Sequence, residues 1–153
     1  MADLGWKVVI DWTDAFASGD LNSLASGSHK MSTKSDPQLE ITTAGLMIQF
    51  EAYMGGSLAV TAGGALIVTA VSRMSDGTNW PTDLTGGNGV PPGNYPSAAI
   101  QFYVGTVNPH RQQTRPVPIW PGYYRFNAQN RLGNATPSSG NMVRYRILTQ
   151  TVG

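Results

Sequence analysis

The chain has 153 residues, with ten Lys and Arg against nine Asp and Glu and a net charge of +1, so the broad basic footprint of a nucleic-acid-binding domain is missing. It has no cysteine, which excludes disulfides and thiolate metal sites and leaves packing alone to hold the fold. Only 12% of residues are charged, while 18 glycines and ten prolines argue against a helical domain, so residues 1–153 read as a single all-β domain. No apolar run is long enough to cross a membrane as a helix, and no basic-then-apolar leader opens the chain. A soluble protein made in the cytoplasm, without membrane or nucleic-acid partners, is the expectation.

In chain order, Gly5 to Trp12 alternates, which puts Trp6, Val8, Ile10 and Trp12 on one face and Lys7, Val9 and Asp11 on the other. An ordinary core strand is the simplest reading, and an interface the alternative. Residues 20–24 suit a short helical turn capped by Asp20, confined by Gly19 and Gly27. His29 to Ser35 reads as a polar edge strand. Ile41 to Met54 follows as a longer run, with Leu46, Ile48 and Phe50 alternating against Met47, Gln49 and Glu51.

Glycine pairs at 55–56 and 63–64 bracket a short segment, and Ala65 to Met74 is a β-branched strand. Asp76-Gly77 signals a turn, and residues 75–97 form a long Pro/Gly loop of the kind that carries contacts. Ala98 to Val107 is the next strand, and Asn108-Pro109-His110 reads as a solvent-exposed turn. Thr114 to Ile119 is a proline-broken edge. Tyr123 to Asn130 alternates around Tyr124, Phe126 and Ala128, Arg131 to Asn134 turns, and Met142 to Val152 closes the chain. About eight antiparallel strands with glycine-rich turns predict a two-sheet antiparallel sandwich of the jelly-roll type, with at most a short helical turn.

Catalytic chemistry finds little support. There is no Gly-x-Ser-x-Gly elbow around His29 or His110, and the glycine clusters do not precede a helix and lysine as a phosphate loop would. Asp76, Asn79 and Asp83 could offer oxygens to calcium, but their spacing matches no EF-hand and turn chemistry accounts for them. A non-enzyme with neither metal nor cofactor is expected. Trp80, Tyr95, Trp120, Tyr123 and Tyr124 lie in or beside loops, where they would stack on a sugar or anchor the loops to the sandwich. Carbohydrate is therefore the alternative ligand.

The stretch from Val117 through Trp120-Pro121-Gly122-Tyr123-Tyr124-Arg125-Phe126 leads to Asn130-Arg131-Leu132-Gly133-Asn134 and then to Ser138-Ser139-Gly140-Asn141 and Tyr145-Arg146. This order of motifs, with Leu21-Asn22-Ser23-Leu24-Ala25 and Ser75 to Pro81, resembles a family of small virion proteins of tailed bacteriophages. The long loop at 81–96 departs from that pattern. The resemblance implies a capsid decoration or cement protein with a jelly-roll fold, bound to the major capsid protein on the virion surface as a homo-oligomer, a trimer above all. A tail or neck component shares the same composition. Candidate contact residues are Trp6, Trp12, Trp80, Tyr95, Trp120 and the arginines Arg125, Arg144 and Arg146, the last three expected on the outward face of neighbouring C-terminal segments.

Overall fold

The computed structural model describes residues 4–34, 38–74, 76–78, 96–102, 105–107 and 110–152. Trp80, Tyr95 and most of the Pro/Gly loop lie outside the described residues. The described chain forms twelve strands and no helix: β1 (Leu4–Asp14), β2 (His29–Met31), β3 (Leu39–Ile41), β4 (Leu46–Met54), β5 (Leu58–Val60) and β6 (Ala65–Ser72), then β7 (Ser97–Gln101), β8 (Gly105–Val107), β9 (His110–Gln113), β10 (Val117–Ile119), β11 (Gly122–Arg131) and β12 (Met142–Val152).

Two five-stranded antiparallel sheets hold ten of these strands. Sheet A runs β1-β12-β4, with β9 and β10 sharing the far edge of β4; sheet B has β2 and β3 along one edge of β11, followed by β6 and β7. Counting β2 with β3, and β9 with β10, as single positions leaves eight positions in chain order. Sheet A then reads 1-8-3-6 and sheet B 2-7-4-5. First pairs with last and second with next to last, which is the nested double Greek key of a jelly roll. The expectation of about eight strands thus counted positions correctly, with two of them split. Strands β5 and β8 form a separate two-stranded ribbon.

The core lies between the sheets and is built by alternation. Ile48, Phe50, Ala52 and Met54 of β4 and Val143, Tyr145 and Ile147 of β12 face Tyr124, Phe126 and Ala128 of β11 and Leu66, Val68 and Ala70 of β6. Phe126 is its centre, edge-on to Phe50 with centroids 6.0 Å apart and tilted over Tyr145 at 4.7 Å. Each fully buried side chain of this kind contributes roughly 1.5–3 kcal/mol.

Three expectations need correction. The expected helical turn at residues 20–24 is a series of non-helical turns, because Gly19 and Ser23 take positive φ (90° and 51°), which interrupts any helical run. Asp20 does cap backbone, accepting from the N–H groups of Ala17 and Thr33 (3.0 and 2.8 Å), and so ties that turn to the end of β2. His110 is not in an exposed turn but 3% exposed in β9, edge-on to Phe102 and 3.3 Å from the Leu58 carbonyl oxygen. Lastly, β1 is not a core strand: Trp6, Val8 and Val9 are 51%, 44% and 50% exposed at the edge of sheet A.

Candidate functional site

The reason for the exposure of β1 is its register against β12. Val8 opposes Leu148, Ile10 opposes Ile147 and Thr13 opposes Tyr145, so one extra residue is inserted on each side of Ile10. Each β-bulge flips the side-chain phase. Of the four residues of the predicted apolar face, Ile10 alone therefore dips toward the core, while Trp6, Val8 and Trp12 stay on the outer face of sheet A. The predicted apolar face of β1 is split between two sides of the sheet.

That outer face can be built row by row, because directly paired residues share a face. At one end, Arg111 of β9, Tyr53 of β4 and Met142 of β12 form a row; the next is Gln113, Glu51, Arg144 and Asp14 across four strands. Gln49 and Arg146 follow, then Pro118, Met47, Leu148 and Val8, and finally Gln150 with Trp6. The rows pass from polar to apolar along the sheet.

The polar rows hold one another in place. Arg144 donates from Nε to Asp14 Oδ1 (3.2 Å) and lies 3.8 Å from Glu51 through Nη1, while Gln113 donates to the other Glu51 oxygen at 3.1 Å. Arg146 donates to Gln49 Oε1 at 2.8 Å and stacks on the Trp12 ring at 4.7 Å. Gln49 in turn donates to the Thr114 carbonyl at 2.7 Å. Arg111 stacks on Tyr53, 4.7 Å from the ring centroid. A cleft of about 600 Å³ opens between β9, β4 and β12, lined by Glu51, Tyr53, Arg111, Gln112, Gln113 and Arg144 among others.

The apolar end is differently made. Leu148 is buried between its row neighbours, but Trp6, Val8, Val9 and Val152 are exposed. Trp120 is 59% exposed and follows Ile119, which shares a row with Leu46 and Thr149, so it leaves sheet A at the end where Trp6 stands. About three inter-strand spacings, ~14 Å, separate the strands carrying the two tryptophans.

Sheet B offers a different surface. Its outward-pointing Thr69, Val71, Asn127 and Gln129 are buried, and His29 Nδ1 lies 3.4 Å from Asn127 Oδ1. Arg125 is on this sheet, donating to the Ser32 carbonyl at 3.3 Å, whereas Arg144 and Arg146 are on sheet A. The expected common arginine face is therefore two faces on opposite sides of the sandwich. Alternation within each strand was read correctly, but the two strands belong to different sheets.

Of the loop aromatics, Tyr123 is 39% exposed with Arg73 over its ring, and Tyr124 is buried with its hydroxyl donating to the Trp120 carbonyl at 2.8 Å. Tyr124 therefore anchors the Trp120 turn and is no stacking platform. Asp76 accepts from the Thr78 N–H at 2.9 Å, in keeping with turn chemistry, while Asn79 and Asp83 lie outside the described residues. Among the described residues no group of three or more His, Cys, Asp and Glu is placed to hold a metal.

The turn motifs of the C-terminal third converge on one internal staple. Asn130 donates from Nδ2 to the carbonyls of Leu24 and Asn134 (2.7 and 2.9 Å) and accepts the Leu132 N–H on Oδ1. Thr136 donates to the Leu21 carbonyl and accepts from Leu24 N–H, and Asn141 donates to the carbonyls of Leu21 and Pro137. These motifs fasten the loop before β2 onto the β11–β12 connection.

The fold and this face define a two-layer antiparallel β protein in which, among the described residues, the outer face of sheet A is accessible and graded from polar to apolar. No family model, curated protein or solved structure matches the chain.

Proposed function

We propose that this chain is a structural virion protein of a tailed bacteriophage, a decoration or cement protein that binds the outer surface of the capsid. The observation that carries the reading is the exposed apolar end of sheet A, where Trp6, Val8, Val9 and Trp120 stand free of the core. Exposed apolar clusters of this kind mark contact surfaces, and tryptophans dominate the energy of such contacts. The order of turn motifs supports the phage assignment. The major capsid protein is the proposed partner, met by the Trp6 and Trp120 end, with copies of the chain associating as a homo-oligomer, a trimer above all.

The mechanism is mass action. A protein that binds the assembled shell and not its dissociated subunits stabilises the shell, and several linked contacts per oligomer multiply the effect. The test compares purified capsids with and without the protein under heating and chelation. Depleted capsids are expected to open at lower temperature and to be restored by added protein but not by the Trp6→Ala/Trp120→Ala double variant. Equal resistance of depleted and complete capsids overturns the cement role.

A further inference from the structure

The polar cleft at the other end of sheet A is not needed for docking through Trp6 and Trp120. Eight residues of β4 register separate the row of Tyr53 from that of Trp6, about 27 Å along an extended strand. With the apolar end on a shell, the cleft stays open to solvent.

Its volume of about 600 Å³ falls in the range of roughly 300–1,000 Å³ occupied by small-molecule sites. Its lining differs from the usual apolar one. Guanidinium and amide donors surround a single carboxylate acceptor, Glu51, so a ligand must be hydrophilic and must both accept and donate hydrogen bonds. A polyhydroxylated ring does both. The charges are not balanced evenly. Arg144 lies against both Asp14 and Glu51, whereas the Arg111 guanidinium has no hydrogen-bond or ion-pair partner among the described residues and rests on the Tyr53 ring. The contact with the Tyr53 ring restrains the guanidinium before any ligand arrives, which lowers the ordering cost of a bidentate contact.

We propose that this cleft binds a saccharide bearing a carboxylate, with Arg111 taking the carboxylate and Gln113 and Glu51, on the same face, reading the hydroxyls. This would give a shell-bound protein a second activity, attachment to acidic surface glycans. It does not depend on the capsid reading.

The experiment titrates the full chain with cellobiouronic acid, with cellobiose, which has a hydroxymethyl group in place of the carboxylate, and with acetate, followed by amide NMR. Cellobiouronic acid is expected to shift the amides of residues 51–53, 111–113 and 142–144 saturably, and to bind about tenfold or more tightly than either control, a difference in keeping with a charge-assisted bidentate contact. Arg111→Ala should abolish that preference with the spectrum otherwise unchanged, and Arg111→Lys should restore part of it. Arg125→Ala, on the opposite sheet, should have no effect. The proposal is overturned if none of the ligands saturates, if cellobiose binds as tightly, or if acetate does, the last outcome marking a bare carboxylate site suited to a protein side chain. Capsid binding by Arg111→Ala reports on the docking reading separately, since only loss of the Trp6 and Trp120 end should affect it.

Discussion

Replacing Asn130 with alanine should destabilise the domain by about 3 kcal/mol, although Asn130 touches no part of the proposed contact face. Its side chain is fully buried and satisfies three backbone groups: the Leu132 N–H and the carbonyls of Leu24 and Asn134. An unsatisfied buried group costs about 1–3 kcal/mol. The Leu132 N–H is buried and should lose about 2 kcal/mol, while the Asn134 carbonyl, partly reached by water, and the Leu24 carbonyl, which keeps its bond from the Thr136 N–H, add about 0.5 kcal/mol each. With an m-value of about 1.5–2 kcal/mol/M for a domain of this size, the urea midpoint should fall by roughly 1.5–2 M at unchanged m. Asn130→Asp provides the cross-check. It keeps the acceptor for Leu132 but turns a carboxylate oxygen toward two carbonyls, so it should cost at least as much. A loss under about 1 kcal/mol for alanine, or a tolerated aspartate, would refute the view that the C-terminal turn motifs form a staple.

Three further outcomes follow from the same geometry. Gly133 sits at φ 90° and an added Cβ would collide with the Thr61 side chain, so Gly133→Ala should cost about 2 kcal/mol or more by thermal denaturation, while Gly27→Ala, with open space around it, should cost less. Burial raises the Tyr145 hydroxyl pKa, as it does that of Tyr124 against the opposing effect of the Trp120 hydrogen bond. A raised folded-state value means that stability is full below the ordinary tyrosine value of about 10 and falls as pH rises through the folded one, because the unfolded chain loses its protons first. Tyr145→Phe should therefore flatten the alkaline limb of a stability–pH curve, at a cost of about 1 kcal/mol or less at neutral pH for the long hydroxyl bond to the Gln38 carbonyl (3.4 Å), and an unchanged limb would contradict this. Trp6→Ala and Trp120→Ala should each leave the unfolding free energy from urea titration within about 0.5 kcal/mol of the parent, as suits surface positions, while weakening capsid association.

The sequence carried much of this fold but not the exposed outer face of sheet A. Strands β4, β11 and β12 were legible because each alternates without interruption, so Phe50, Phe126 and Tyr145 could be assigned inward from period alone. In β1 the same reasoning misplaced Trp6 and Trp12, since nothing in a period of two marks where a bulge inserts a residue. Strand β9 was invisible because His110-Arg111-Gln112-Gln113 has no apolar residue, and its pairing comes from β4 some sixty positions away. The cleft shares this difficulty. Glu51, Arg111 and Arg144 are brought together by jelly-roll pairing, and no local spacing links them. Likewise, outward arginines on β11 and β12 point to opposite sides of the molecule, and only strand order decides that.

The most direct test of the central claim is a cryo-EM reconstruction of an intact particle containing this protein. The account predicts copies distributed over the whole shell, with Trp6, Val8 and Trp120 of sheet A against the major capsid protein and the Arg111 cleft facing solvent. Copies confined to a single vertex or to the tail, or a shell-bound copy with that end of sheet A turned outward, would contradict it.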